Sequence, residues 1–337
     1  MNWVFELVAG PYGGTSEGPA WDGQAMLFTD IPNSRIMRYD PESGECSEYR
    51  TETSGTNGLM FDAEGSLYGC SGEGRCILRF YPDGTSAALP HNLNGSRHNT
   101  PNDLAIDRKG RIWFTDPNGR IPIEQRELDH SSVLRLDPDA EAEGGWTLNR
   151  MTHGTSAPNG ILMSADERTL YLIQSDYQGV RDLRAYPLRD DDTLGDFSVL
   201  HVFGEDFRGV HRGLDGMCLD TEGNIIACGG WRQAGPGPMV YVFSPSGRVL
   251  ETHPVPVDWP TNCAFGGRGL ETLYVTTHGG HLFRVSNTGR RGLVLYPPLG
   301  TPNVPGRWLY LPTRLRLGGA RWPRRAHPQS GWCGLVR

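Results

Sequence analysis

The stretch Asp215-GMCLDTEGNIIA-Cys228 decides the fold, because variants of it occur six times along the chain. Each copy has a polar residue, a short apolar run, a turn that usually contains Asp or Gly, and a second apolar run. Two apolar runs joined by such a turn are typical of a β-hairpin. Successive leading residues are 40, 45, 57, 56 and 47 positions apart. They are Glu17, Asn57, Asn102, Asn159, Asp215 and Asn262.

A second hairpin follows each copy, as in Ile77-LRFYPDGTSAA-Leu89 and Val240-YVFSPSGRVLET-His253. The Pro-Asp-Gly and Pro-Ser-Gly segments are strong turn signals between runs that alternate apolar with polar residues. Two hairpins per repeat give four strands. The sequence therefore predicts an all-β fold, a six-bladed β-propeller with four-stranded blades, over residues 1–300. The run Trp3–Val8 is expected to add a strand to the last blade and close the ring.

The composition agrees with many short strands and excludes several other classes. The chain of 337 residues contains 45 glycines and 25 prolines, too many for a helical bundle. No run approaches the 18 apolar residues that a transmembrane helix needs. Residues 1–10 contain Glu6 and no basic segment, so no secretory signal is expected. We therefore expect a cytoplasmic protein with no membrane partner.

Charge separates the body of the chain from its end. The net charge is −7, but residues 301–337 contain seven arginines and no acidic residue, so the first 300 residues carry −14. Such an acidic body argues against a nucleic-acid partner, since phosphate repels it. Residues 301–337, rich in Arg, Pro and Gly, are predicted to be a disordered tail. The seven cysteines include no CxxC pair, and we expect reduced thiols, although Cys70 and Cys76 could lie close together.

Two of the repeat intervals are long, which predicts extended surface loops at Pro117–Ser131 and around Gln174–Asp182. The first loop is polar. It could cover the mouth of the propeller channel as a lid, or it could be a solvated loop without a function.

The six leading residues would ring one end of the channel if the blades are equivalent. All six have a side-chain carboxylate or amide oxygen, and converging oxygens form a site for a hard cation. Ca²⁺, Mg²⁺ or Mn²⁺ fits such a ring best, and Zn²⁺ also accepts oxygen ligands. Asn57 and Asn262 could instead cap turns. Glu17, Asn159 and Asp215 are the favoured ligands.

Five motifs resemble those of the SMP-30/gluconolactonase/luciferin-regenerating enzyme family, and most closely its bacterial gluconolactonase branch. They are Glu17-Gly-Pro-Ala-Trp21, Pro101-Asn-Asp-Leu104, Trp113-Phe-Thr-Asp-Pro117, Pro158-Asn-Gly160 and Asp215-Gly-Met217. The resemblance covers about residues 5–298. It implies one divalent cation, with Ca²⁺ as the first choice, held by Glu17, Asn159 and Asp215. It also implies that Asn102 contacts the substrate or completes the metal shell, and that Asp215 is the proton donor and acceptor.

One position departs from the pattern that the resemblance implies. Animal members of the family have an arginine that holds the sugar acid, two residues before the asparagine that corresponds to Asn102. Thr100 occupies that position here. Arg97, His98 or Arg120 could substitute for the missing arginine, and the sequence does not choose among them.

The resemblance implies metal-dependent hydrolysis of a gluconolactone-like sugar lactone to the aldonic acid. Another metal-dependent hydrolase on the same ring, acting on a non-sugar lactone or a phosphotriester, is the main alternative. A non-enzymatic propeller scaffold is a further one. The expected partner is a small-molecule lactone, and the protein is expected to be a monomer or a homodimer.

Overall fold

The computed structural model describes residues 2–294, so the predicted tail at 301–337 lies outside the described residues. Within the described range the chain forms 29 β-strands and three 3-10 helices of three residues each. The strands build six antiparallel sheets around one axis and two additional small hairpins. The prediction of a six-bladed propeller with four-stranded blades is confirmed.

The first three blades follow one another along the chain. Their strands, with the N-terminal strand and one small hairpin, are β1 (Glu6–Ala9); β2 (Ser16–Trp21), β3 (Met26–Asp30), β4 (Arg35–Tyr39) and β5 (Cys46–Arg50); β6 (Thr56–Phe61), β7 (Leu67–Ser71), β8 (Cys76–Phe80) and β9 (Ser86–Ala88); β10 (Asn92–Leu93) and β11 (Ser96–Arg97); and β12 (Leu104–Ile106), β13 (Ile112–Asp116), β14 (Ser132–Pro138) and β15 (Trp146–Arg150). The 3-10 helices are Ile31–Asn33, Ile123–Gln125 and Glu143–Gly145.

The last three blades use the rest of the described chain. Their strands, with the second small hairpin and a final short strand, are β16 (Pro158–Met163), β17 (Thr169–Ser175), β18 (Arg181–Pro187) and β19 (Ser198–Val202); β20 (Glu205–Asp206) and β21 (Gly209–Val210); β22 (Leu214–Asp220), β23 (Ile225–Gly229), β24 (Met239–Phe243) and β25 (Val249–Pro254); β26 (Pro260–Gly266), β27 (Thr272–Thr277) and β28 (Leu282–Val285); and β29 (Gly292–Leu293). The short β29 adds a fifth strand to the fifth blade, beside β22.

The N-terminal strand closes the ring, as predicted. β1 pairs antiparallel with β28, with Leu7 opposite Phe283, so the sixth blade combines both ends of the propeller. The strand begins at Glu6, whereas the sequence predicted Trp3 as its start. Trp3 instead lies buried before the strand, and its indole stacks on His253 with ring centroids 3.8 Å apart.

The hydrophobic core is divided into six clusters, one between each pair of neighbouring blades. This division follows from the period of two in a β-strand, because successive side chains point to opposite faces of the sheet. In β13, Trp113 packs toward the fourth blade and Phe114 toward the second. Each blade is therefore apolar on both faces, and the blades hold one another in a rigid ring.

The same alternation keeps two cysteines apart. Cys70 and Cys76 lie on the paired strands β7 and β8, but Cys76 is opposite Ser71. Cys70 therefore faces the third blade while Cys76 faces the first. These two and the other cysteines among residues 2–294 are free thiols, as expected from the sequence.

One of the two predicted long loops lies elsewhere. The segment at 117–131 is an extended loop between β13 and β14, as predicted. The segment around Gln174–Asp182 is an ordinary hairpin of β17 and β18. The additional residues of that repeat form the small hairpin of β20 and β21, which contains no apolar repeat pattern to reveal it. No helix among the described residues is long and apolar enough to cross a membrane.

The closure of the ring can be tested through Trp3. We expect Trp3→Ala to lower the free energy of unfolding by about 3 kcal/mol, because it removes a buried aromatic side chain from the junction where the two ends of the propeller meet. Urea denaturation measures this difference. Val4→Ala is the matched control, since Val4 is 67% exposed and should cost less than about 0.5 kcal/mol. Equal losses in the two variants would contradict this role of Trp3.

Candidate active site

The six residues that lead the sequence repeats lie at equivalent places, at the start of the innermost strand of each blade. Four of them are the second residue of their strand, one is the third, and one lies two residues before its strand. These are, in that order, Glu17, Asn57, Asn159 and Asp215, then Asn262, then Asn102.

A β-bulge interrupts strand pairing at this place in five of the six blades. The register shifts between Glu17 and Ala20 in the first blade and between Leu214 and Met217 in the fifth, with equivalent shifts in β6, β16 and β26. A bulge inserts an extra residue, bends the strand and re-aims its side chains. The leading side chains can therefore leave the plane of their own blade and approach those of other blades.

Glycine follows the leading residue in four blades because neighbouring innermost strands come very close there. A Cβ atom on Gly216 would lie 2.0 Å from the Asn262 side-chain carbon, and one on Gly18 would lie 2.4 Å from the backbone oxygen of Asn57. Gly18 also has a positive φ of 51°, which disfavours other residues. The repeated polar-Gly pair is thus a packing requirement of the channel.

Asn262 connects carboxylates of two different blades across the channel. Its Nδ2 donates to Glu17 Oε2 at 3.0 Å and to Asp103 Oδ2 at 3.4 Å. Its Oδ1 accepts the backbone N–H of Cys263 at 2.8 Å. Glu17 belongs to the adjacent first blade and Asp103 to the third blade on the opposite side. Asn262 therefore holds two acidic groups near the axis through its Nδ2, while its Oδ1 is bound to the backbone of its own strand.

Asp103 is a site residue that the sequence interpretation did not select. It follows Asn102, where four other repeats have glycine, and this substitution was the signal that could have identified it. The side chain is buried, and its Oδ1 accepts the N–H of Leu104 at 2.9 Å. Burial raises the pKa of Asp103 to about 7, and the charge of Asp215 contributes to the increase.

Asp215 lies between an amide and a buried arginine. Its carboxylate accepts hydrogen bonds from Asn159 and from the Nη2 of Arg212. Burial raises the pKa of Asp215, and Arg212, Asn159 and the more distant charges of Arg120 and His278 oppose this increase. Arg212 is only 2% exposed, and it was not among the candidate site residues selected from the sequence.

The charges of the channel fit a bound cation. Burial, followed by the charges of Asp215 and Asp103, raises the pKa of Glu17 well above its usual range. Buried like charges repel one another unless a cation compensates them. Among residues 2–294 no group of three His, Cys, Asp or Glu side chains could hold a metal alone, so a cation bound here would also need amide oxygens. Asn57 Oδ1, buried without a hydrogen-bond partner in the described structure, is one such oxygen.

The predicted substrate-binding residues occupy different positions. The Asn102 side chain is half-buried, and no hydrogen-bond partner is assigned to it within the described range. The Thr100 hydroxyl donates to the backbone oxygen of Pro117 at 2.7 Å and so anchors the start of the 117–131 loop. Arg120 is exposed on that loop and acts electrostatically on Asp215. Of the other candidates, Arg97 binds the backbone oxygen of Gly74, and His98 is fully buried.

Aromatic residues form one side of the channel mouth. The loops after β17, β23, β25 and β27 lie on the same face as the leading residues, as the pairing of Leu214 with Gly229 shows for β23. Neighbouring ring centroids are 4.6–5.7 Å apart along this wall. Its members are Tyr177, Trp231, Trp259 and His278. The sequence showed no periodic signal for them, because each comes from a separate loop.

Known proteins are similar to this chain in sequence and architecture. The SMP-30/Gluconolactonase/LRE-like region matches residues 15–279. A gluconolactonase of Zymomonas mobilis is 28% identical over 77% of this chain and 75% of its own length. A pentonolactonase of Haloferax volcanii is 28% identical over 78% and 81%. The solved structure of a gluconolactonase from Xanthomonas campestris is 32% identical, with a TM-score of 0.70 over 84% of this chain and 89% of that one.

The raised pKa of Asp103 predicts a pH-dependent stability of the metal-free protein. A carboxyl with a pKa of about 7 when folded and 3.8 as its ordinary value stabilises the fold below pH 4 relative to neutral pH. This contribution disappears as pH rises to about 7 and amounts to at most roughly 4 kcal/mol. Denaturation in EDTA between pH 4 and 8 measures it.

Asp103→Asn should reduce this decrease, because the amide does not ionise, while Glu17 and Asp215, whose pKa burial also raises, retain part of it. The matched control Asp176→Asn, in the loop after β17, should retain the wild-type profile. A wild-type stability that rises between pH 5 and 7 would contradict the assignment of Asp103 as a carboxyl buried near other negative charges.

Proposed function

This chain belongs to the SMP-30/gluconolactonase/LRE-like family, and we propose that it hydrolyses the lactone of a sugar acid with a divalent cation bound in its central channel. Its lactonase relatives support a lactone hydrolase as the enzyme class. The proposed cation ligands, proton-transfer group and substrate contacts go further, because they assign roles to particular residues. Each of these assignments rests on the geometry of the channel.

The observation that carries the proposal is the convergence of Glu17, Asp103 and Asp215 on one end of the channel. Asn262 bridges the first two, and the charge of Asp215 helps to raise the pKa of both. A purely structural core would not favour three acidic groups in mutual repulsion, whereas a cation site uses them.

Glu17, Asn159 and Asp215 are the proposed cation ligands. They come from three different blades, and all three supply oxygen, which Ca²⁺ prefers and which Mg²⁺, Mn²⁺ and Zn²⁺ accept. A divalent cation bound there would act as a Lewis acid toward the lactone carbonyl. Asn262 would fix Glu17, and Arg212 would fix Asp215, in the orientation that the ligands need.

Asp215 is the proposed proton acceptor and donor. One of its carboxylate oxygens would take the proton of the attacking water, and the carboxyl would return a proton to the ring oxygen as the ester bond opens. Asn159 and Arg212 restrict the rotation of this carboxylate. Asp103, with a pKa of about 7, is a second group in the same channel that is able to hold a proton near neutral pH.

The lactone would contact the channel through Asn102 and Arg120. The Asn102 amide has both donor and acceptor atoms to offer to sugar hydroxyls. Arg120 extends from the 117–131 loop and affects Asp215 electrostatically, so we assign this loop as a cover of the mouth. Thr100 contributes indirectly, by fixing the start of the loop at Pro117.

Hydrolysis of glucono-δ-lactone by metal-stripped protein tests the proposal. We expect negligible activity in EDTA and recovery with Ca²⁺, Mg²⁺, Mn²⁺ or Zn²⁺. Glu17→Gln should weaken cation binding at least tenfold, because it removes a charged ligand. Asp215→Asn should lower kcat by about 10²–10⁴, because the amide accepts no proton. Asp176→Asn, on the same face but outside the ring, is the matched control.

The outcomes separate the candidate functions. Cation binding without hydrolysis of sugar lactones would favour another metal-dependent hydrolase. Assays with phosphotriesters and non-sugar lactones would then identify its substrate class. Neither cation binding nor hydrolysis would leave a propeller scaffold. Wild-type turnover by cation-loaded Asp215→Asn would restrict Asp215 to ligand binding and transfer the proton role to Asp103.

Arg120 can be tested separately from the ring. We expect Arg120→Gln to raise KM by about tenfold to hundredfold with little change in kcat, because a charge-assisted hydrogen bond to bound substrate is worth about 1.5–3 kcal/mol. Arg120→Lys keeps the positive charge, so its KM should lie between those of the wild type and Arg120→Gln. Steady-state kinetics at saturating cation measures this, and an unchanged KM would remove Arg120 from the substrate contacts.

A further inference from the structure

Arg212 is a buried cation for which lactone hydrolysis does not by itself account. Its side chain is 3% exposed and lies beside Asp215 at the innermost strand of the fifth blade. Nη1 donates to the backbone oxygen of Pro260 at 3.1 Å, and the guanidinium lies 5.3 Å from the Trp259 ring centroid. A charge is costly to bury without compensation, so this arrangement requires a reason.

Several interactions hold Arg212 in this position. On one side, the neighbouring His211 accepts the N–H of Gly213 at Nδ1, at 2.8 Å, and its Nε2 lies 3.1 Å from the Tyr241 hydroxyl. On the other side, the Trp259 indole lies next to the guanidinium. Trp259 itself has a φ of 53°, an unfavourable value for a bulky residue. Arg212 is therefore built into the site and differs from a loosely placed surface arginine.

Hydrogen bonds fix both the N–H and the carbonyl of Trp259. Its N–H donates to Asp258 Oδ1 at 3.0 Å, and its carbonyl accepts the N–H of His278 at 2.9 Å. Its indole is thereby held next to the guanidinium. A strained residue that is held by its neighbours is a feature of functional sites.

The charges near the axis have a simple balance. Glu17, Asp103 and Asp215 carry −3 when ionised, and Arg212 reduces this to −2. A divalent cation then brings the sum to zero. Without the arginine the same three carboxylates would match a trivalent ion.

We propose that Arg212 is an internal counter-ion that sets the charge selectivity of the channel for divalent cations. This inference rests on the proposed function, because it requires a cation in the ring. Repulsion between the guanidinium and a bound ion grows in proportion to the charge of the ion. Removing the guanidinium must therefore strengthen trivalent binding more than divalent binding.

The ratio of two dissociation constants isolates this effect. Changes in the site that affect all ions equally cancel in the ratio of Kd for Ca²⁺ to Kd for Tb³⁺. Loss of Arg212 also frees Asp215 to move, and any outward movement of this carboxylate would act against the expected shift, because it weakens trivalent binding more than divalent binding. The charge effect remains, and one unit of charge at about 6 Å and an effective dielectric constant of about 20 corresponds to a change of tenfold to hundredfold.

The experiment measures Ca²⁺ and Tb³⁺ binding to metal-stripped full-length protein at one fixed pH. Calorimetry gives Kd for both ions, and tryptophan-sensitised Tb³⁺ luminescence gives a second readout. We expect Arg212→Gln to shift the Kd ratio tenfold or more toward Tb³⁺. Arg212→Lys keeps the charge and should retain the wild-type ratio within about threefold. Arg181→Gln is the matched control, because Arg181 lies on the same face of the propeller and donates to backbone carbonyls.

A second variant keeps the test decisive if Arg212→Gln does not fold. Asp103→Asn removes one negative charge and should shift the Kd ratio in the opposite direction, toward Ca²⁺. An unchanged ratio in folded Arg212→Gln would overturn the counter-ion role, even if both ions bind more weakly, and an unchanged ratio in Asp103→Asn would overturn the charge balance on which that role depends. Failure of wild-type protein to bind either ion would overturn the proposed function and this inference together.

Discussion

Mutual repulsion among Glu17, Asp103 and Asp215 is the constraint around which the channel is organised. Three acidic side chains from the first, third and fifth blades approach one axis, and burial removes the water that would otherwise screen them. Asn262 and Arg212 relieve part of this repulsion from the sixth and fifth blades. The remaining negative charge is what makes the end of the channel a place for a cation.

The propeller can sustain this repulsion because its blades cannot separate. Six apolar clusters join neighbouring blades, and the pairing of β1 with β28 closes the circle. In an open arrangement, the leading side chains could move apart and lose their common axis. In the closed ring, the bulges place them at fixed positions, and Gly18 and Gly216 allow the innermost strands to approach closely. Stability of the scaffold and chemistry of the site are therefore linked.

The loops on the site face carry the residues proposed to contact the substrate. The Thr100 hydroxyl fixes the start of the 117–131 loop at Pro117. Positive charge is present on the exposed Arg120 and on the buried Arg212. Because loops carry these residues while strands carry the ring, substrate preference can change without disturbing the acidic centre.

The sequence by itself determined the six blades, the closing strand and the equivalence of the leading residues. Hairpin turns and apolar alternation are local signals, and they occur in each of the six repeats. Only the tertiary structure identified Asp103, Arg212 and Trp259 as neighbours of the ring, and only it moved the long insertion to the β20–β21 hairpin. Asp103 and Asn262 are 159 positions apart, and Arg212 and Trp259 are 47 positions apart, and contacts over such separations leave no periodic trace in the chain.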